Sequence, residues 1–291
     1  MYAPNDDKPF TGIVFDFYEN GEKELDGNYR KGLMNGEWTY YHENGQIHGE
    51  GRFIDGDGSN LSELSGIPFN GRSGRWKFWY ENGQKSTEGT YRNGNLIGKY
   101  EKWFKNGTKK WEVYNNDDGT RDSTKLTIQW YENGQKQFEG YWKNTDDTAG
   151  VWIGKYTEWH KNGQMSGEGP FKNGKMDGKW TWWYENGQKE WEATFKDGKA
   201  DGKATEWYEN GQKGFEGTIK DGELNGLLTY WYENGQKREE GTIKDGRPNG
   251  KVTSWHENGQ KSGEGTWKDG EKDGKWTWYN DDGTVKEVEE Y

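Results

Sequence analysis

The stretch Lys179-Trp180-Thr181-Trp182-Trp183-Tyr184-Glu185-Asn186-Gly187-Gln188-Lys189-Glu190-Trp191-Glu192 decides the fold. Asn-Gly between two aromatic-rich runs signals a β-hairpin, because a type I′ turn needs φ > 0 at both central residues and Asn and Gly tolerate that best. In a two-residue hairpin Glu185 pairs with Gln188, Trp183 with Glu190, Thr181 with Glu192 and Trp180 with Ala193. The turn glycine recurs at 21, 45, 83, 107, 134, 163, 187, 211, 235, 259 and 283, and seven of the ten intervals are 24 residues. A fixed period of this length marks a repeat array. The expected fold is all-β: an elongated, twisted single layer of antiparallel hairpins in about eleven 24-residue units.

Residues 1–12 read as a lead-in and 13–291 as one array, with no composition shift to mark a domain boundary. The three irregular intervals place insertions near 55–74, 115–123 and 145–153. The first is rich in Gly, Ser and Asp and reads as an excursion from one edge of the array. A second turn in each unit, such as Asp197-Gly198, hands the chain to the next. A G1 bulge at a three-residue turn is the alternative to type I′, and it swaps the faces of the second strand.

Only 28% of residues are hydrophobic, but 16% are aromatic and 46 are glycine, so the buried surface must be carried by rings packed against neighbouring units. The net charge of −11 repels nucleic acid and disfavours attachment to anionic membranes. Without cysteine there is no disulfide or thiol chemistry. No run approaches the roughly 20 apolar residues of a membrane span. The opening MYAPNDDKPF lacks the regions of a signal peptide. A complete chain is therefore expected in the cytoplasm; a chain that has lost a leader belongs in the cell envelope or outside the cell.

Alignment on the turn glycine yields columns. Seven residues before it stand Trp38, Trp76, Tyr100, Tyr156, Trp180, Leu228, Val252 and Trp276, among others, facing cross-strand glycines such as Gly51, Gly89 and Gly265. A ring over a strand glycine covers exposed backbone, which makes this the packed face. On the other face Trp79, Trp103, Trp130, Trp159, Trp183, Trp207, Trp231 and Trp255 stand four residues before the glycine. Beside them run threonines (Thr157, Thr181, Thr205, Thr229, Thr253, Thr277) and glutamates (Glu50, Glu88, Glu112, Glu139, Glu168, Glu192, Glu216, Glu240, Glu264), the pattern of a half-solvated strand.

Each column has a functional and a structural reading. The tryptophans would suit a glycan or a partner polypeptide, yet recurrence in every unit favours stacking within the array. Equivalent carboxylates roughly 9–10 Å apart are too uniform for acid–base catalysis and suit a repeated bond to a turn, a Trp N–H or a Lys. His42, His160 and His256 replace a ring of the Tyr column, and their spacing suits no metal site. The run Asp55-Gly56-Asp57-Gly58-Ser59-Asn60 lacks the glycine and glutamate of a calcium loop. No catalytic, cofactor or metal residues are expected, and the chain reads as non-enzymatic. The candidate partner-binding residues are the eight tryptophans of the outer column together with Asp55 and Asp57.

The units read Y/H-E-N-G-Q-K-x-x-E-G-x-[YFIW]-K-[ND]-G-x-x-[DN]-G-K-W-x-x-W. This resembles the MORN repeat, specifically its bacterial variant, over residues 13–291. Units four and five depart from it at Val113-Tyr114-Asn115 and around Thr145–Ile153. The resemblance implies an elongated hairpin array without catalytic residues. It also implies an antitoxin- or immunity-like partner of a toxin, or a scaffold with self-association or lipid binding. The expected function is binding of a protein partner, with the acidic balance suiting a basic one and the irregular loops carrying specificity. Glycan binding and self-assembly through open sheet edges are the alternatives.

Overall fold

A computed structural model describes residues 8–63, 65–145 and 150–291. It is all-β, with 25 antiparallel strands and, among the described residues, no helix. Two compact units divide the chain, Met1–Val151 and Trp152–Tyr291. In the first, strands from Gly12–Phe17 to Lys136–Lys143 pair with their chain neighbours. The second repeats this succession from Met165–Lys172 to Val285–Glu290. Residues 1–7 of the lead-in and 146–149 of the third insertion lie outside the described residues.

The Asn-Gly turn is a hairpin but not type I′. Gly187 has φ 83° while Asn186 keeps a negative φ. The Gly187 N–H donates to Tyr184 O at 2.9 Å and the Tyr184 N–H to Gln188 O at 2.9 Å. The loop is therefore three residues long and closes on a left-handed glycine, the G1 arrangement. Trp183 accordingly pairs with Lys189, and Glu185 does not pair with Gln188. A second irregularity at Glu190 restores the register, so that Trp182 faces Trp191, Thr181 faces Glu192 and Trp180 faces Ala193. Two compensating one-residue offsets leave the side chains beyond them on the expected faces. The type I′ geometry sits instead at the second turn, where Asp197 and Gly198 have φ 48° and 85° and Lys196 pairs with Lys199.

The packed face holds the core. In the first unit Met34, Trp38, Phe53, Ile67, Trp76, Phe78 and Tyr91 form one buried cluster. In the second, Ala193, Ala204, Phe215 and Leu228 form another. The ring–glycine pairing is shifted from the expected one. Trp76 covers Gly51 of the preceding unit rather than Gly89 of its own hairpin, and Trp38, Trp180 and Trp276 likewise cover Gly27, Gly169 and Gly265. The indole N–H is the reason: Trp180 Nε1 donates to Pro170 O at 2.9 Å and Trp76 Nε1 to Arg52 O at 3.1 Å, both on the preceding strand. Each indole thus bonds one unit to the one before it.

Two further expectations are corrected, and the second insertion takes a definite form. Thr157, Thr181, Thr205, Thr229 and Thr277 are buried, not half-solvated, and of the column Thr253 alone is half-buried. The 55–74 insertion does not simply leave the edge. Its neck is closed by Gly56 against Gly71, and it returns Ile67 to the core over Gly49. The 115–123 segment forms another G1-type turn, with the Gly119 N–H donating to Asn116 O at 3.0 Å and the Asn116 N–H to Thr120 O at 2.7 Å.

Candidate functional site

All eight tryptophans of the outer column are half-buried. The lysine two residues after the turn glycine lies over the tryptophan of the following unit: Lys85 over Trp103 at 4.9 Å, Lys109 over Trp130 at 5.4 Å, Lys189 over Trp207 at 5.3 Å, Lys213 over Trp231 at 5.6 Å and Lys237 over Trp255 at 5.7 Å. Lys77 stands 6.0 Å from the ring centre of Trp79 on the same face. Met165 takes the lysine position before Trp183. These are cation–π contacts that hold the ring while covering part of its face.

The glutamate column positions these lysines. Lys189 meets Glu192 at 2.6 Å, Lys213 meets Glu216 at 2.6 Å and Lys261 meets Glu264 at 2.9 Å. A second lysine from the facing strand completes several pairs, as Lys179 does with Glu192 at 2.9 Å. The hydrogen bond from Lys213 holds the Glu216 carboxyl below its usual range, and Lys261 and then Tyr279 do so for Glu264. A carboxylate already bound to lysine is a poor general base. Among the described residues no group of His, Asp and Glu is placed to hold a metal ion.

The turns form a second ladder. Asn186 Oδ1 accepts from the Gln188 N–H at 2.9 Å, and its Nδ2 donates to Glu209 O of the next unit at 2.7 Å. Tyr184 Oη donates to Trp207 O at 2.8 Å. His42, His160 and His256 take the same place, with Nε2 at 3.0, 2.7 and 3.1 Å from Trp79 O, Trp183 O and Tyr279 O. A carbonyl oxygen only accepts, so Nε2 must carry the proton. These histidines substitute for tyrosine in a structural bond.

Asp55 and Asp57 lie at the start of the insertion. Asp55 pairs with Arg30 at 3.0 Å and accepts from Asn35 at 3.2 Å. Asp57 accepts from the Ser59 N–H at 2.9 Å and from Asn70, and those bonds, Ser59 first, hold its carboxyl below the usual range. The structure does not bring these aspartates together with the tryptophans as one group. Column reading overlooks Arg72 and Lys102. Arg72 occupies a position held elsewhere by Met34, Leu96, Met176 and Leu224, and Lys102 one shared between rings (Tyr40, Phe78, Trp182, Tyr230) and polar residues (Gln129, Glu158, Glu206, Ser254). For Arg72 a cation in a largely apolar column was the available signal, whereas the mixed column of Lys102 offered none.

The family described as MORN repeat variant matches residues 34–55, 72–93, 125–144, 153–173, 176–197, 200–221, 224–245, 248–269 and 272–291. The chain belongs to the MORN repeat variant family. Residues 56–71, which contain the insertion loop, fall outside the MORN matches, as do residues 94–124. No curated protein matches the sequence. Among solved structures, one of TcdB2-TccC3-Cdc42 is similar at 9% identity and TM-score 0.19, over 96% of this chain and 18% of that one. A TcdB2-TccC3 structure is similar at 10% identity and TM-score 0.19, over 96% and 19%. The MORN array thus spans less than a fifth of the length of those chains.

Proposed function

We propose that this chain is a non-enzymatic MORN scaffold that binds a protein partner, centred on the 55–74 insertion. The observation that carries this reading is the placement of exposed apolar side chains. Leu61 and Phe69 are exposed on the one long segment that interrupts the period, and Ile54 is exposed on the strand that enters it. Apolar side chains rimmed by polar residues, here Asp55, Asp57 and Asn60, are the composition of a contact patch. The regular columns are consumed by bonds within the array, which leaves the insertion to distinguish this chain from a bare repeat. The acidic surface would steer a basic partner, and occlusion of such a partner would be an antitoxin- or immunity-like action.

Affinity capture with the intact chain and with Ile54→Lys/Leu61→Lys tests this. A partner retained by the intact chain should be lost from the variant at unchanged thermal stability. Equal retention by both would remove the insertion from the interface. Deletion of 55–74 is the wrong comparison, because it takes Ile67 and Arg72 out of the core. Self-association is a second reading, favoured by Ile13, Phe15 and Phe17, exposed along one face of the first strand Gly12–Phe17. Sedimentation of intact and Phe15→Lys chains tests it, and a monomer at every concentration would end it.

A further inference from the structure

The insertion and the second, third and fourth hairpins line a half-open cavity of about 560 Å³. Its wall includes Arg72, only 1% exposed, with Nε donating to Pro68 O at 2.7 Å and Nη2 to Ile67 O at 2.8 Å. The guanidinium lies 4.3 Å from the Phe69 ring centre and 5.0 Å from those of Trp76 and Phe78. No described carboxylate pairs with it. Carbonyls and rings satisfy its geometry but supply no full negative charge, so a buried cation is left without a counter-ion.

Three lysines line the same cavity: Lys102, Lys105 and Lys110. Lys102 is half-buried, and burial, then the neighbouring Lys110, push its pKa down. None of the three forms an ion pair with a described carboxylate. On the outer face of the same hairpins the opposite holds: Lys85, Lys99 and Lys109 are each bound to Glu88, Glu101 or Glu112. Glu81 is the one carboxylate in the cavity wall, and it is exposed at the turn. In a chain of net charge −11, four cations gathered against one carboxylate form a local reversal of charge.

Aromatic side chains supply the rest of the wall, with Phe69, Phe78, Tyr91 and Tyr100 along it and the hydroxyls of Ser62 and Thr87 among them. A lining that is largely rings with a few convergent cations suits an amphipathic ligand of modest size. We infer that this cavity is a binding site for a small organic anion, a carboxylate carried on a planar apolar body, with Lys102 as its principal charge partner and Arg72 as the fixed positive field behind it. The cavity shares Phe69 with the proposed partner patch, but Ile54 and Leu61, which the capture experiment alters, are not in its wall, so the two readings are tested separately.

The probes are phenylacetate, its neutral isostere phenylacetamide, and inorganic phosphate, each titrated into the full chain by calorimetry with the thermal midpoint followed in parallel. Phenylacetate should bind saturably and raise the midpoint. Phenylacetamide, which lacks the charge, and phosphate, which lacks the apolar body, should each bind at least about tenfold more weakly. Lys102→Gln should weaken phenylacetate by at least about tenfold, the worth of a charge-assisted bond. It should not lower the midpoint of the free protein, because it removes a half-buried cation from beside Lys110. Lys203→Gln, on the outer face of the second unit, should leave phenylacetate binding unchanged. Absence of phenylacetate binding, equal binding of the amide or of phosphate, or undiminished binding by Lys102→Gln would each overturn the inference.

Discussion

At the residue scale, the glycines under the indoles carry the sharpest constraint. A Cβ on Gly169 would stand 2.3 Å from the Trp180 ring, which is 2% exposed and anchored through Nε1 to Pro170 O. The ring cannot yield without breaking that bond. Gly169→Ala should therefore cost about 1–3 kcal/mol, the usual penalty of overpacking. Gly241 is its counterpart under Val252, where the nearest atom would be at 3.3 Å. There the added methyl needs only a small shift, and relief of glycine's backbone entropy offsets it. Gly241→Ala should be near neutral, and urea titration of the two variants checks the contrast; equal losses would break the argument. His48 sets a pH dependence. Burial, then the stacked His42 ring at 4.2 Å, lowers its pKa from 6.5 to about 4, with Glu81 opposing. Between these values the unfolded chain binds a proton that the native chain refuses, so this contribution is complete above pH 6.5 and is lost as pH falls toward about 4. The difference in urea midpoint between the intact chain and His48→Gln should shrink over that window; parallel curves would show that His48 does not titrate as its burial requires. Carboxylates such as Glu216, held low by lysine, add their own loss only as pH falls below the usual carboxylate range.

At the element scale, the Asn-Gly turn takes the G1 alternative, and the type I′ geometry falls at the second turn, for which the sequence reading offers no type. The hairpin at Asn186-Gly187 was legible, and so were the period, the all-β class and the packed face. The turn type was not, because Asn-Gly suits either geometry locally and the choice is made by the next unit. Asn186 uses Oδ1 within its own turn and Nδ2 to reach Glu209 O, 23 residues on. The pairing of rings with glycines was misplaced by one strand for the same reason, since the indole N–H finds its acceptor in the preceding unit. The return of Ile67 and Arg72 into the core was hidden by distance along the chain, although Arg72 in an apolar column pointed to it. Asn186→Asp keeps the local acceptor and loses the donor to Glu209 O, so it should cost about 1 kcal/mol. Asp221, with φ 52° in the type I′ turn, should accept Asn with a change within about 0.5 kcal/mol. Chemical denaturation of both variants tests this, and a reversed order would assign the turn types wrongly.

At the scale of the whole molecule, a recurring set of side-chain bonds joins each unit to the next. Within the second unit the indole bond of Trp180, the tyrosine bonds from Tyr184 to Trp207 and from Tyr208 to Trp231, and the amide bonds of Asn186 and Asn210 all span neighbouring hairpins. Stability in such an array is a sum of unit terms and nearest-neighbour terms, so a local fault should decay along the chain instead of spreading evenly. Gly169→Ala supplies the fault, because it disturbs the contact between strands Met165–Lys172 and Gly178–Trp183. Amide hydrogen exchange should quicken most in those two strands, less in Lys189–Lys196 and Lys213–Lys220, and hardly at all in Lys261–Lys268. A uniform acceleration through residues 152–291 would mean that the unit opens as one cooperative body, and the nearest-neighbour account would fail. The gradient also bears on partner binding. If opening is local, the insertion at 55–74 keeps its geometry when distant units fray, and a fault placed at Gly169 should leave capture of a partner by Ile54 and Leu61 intact.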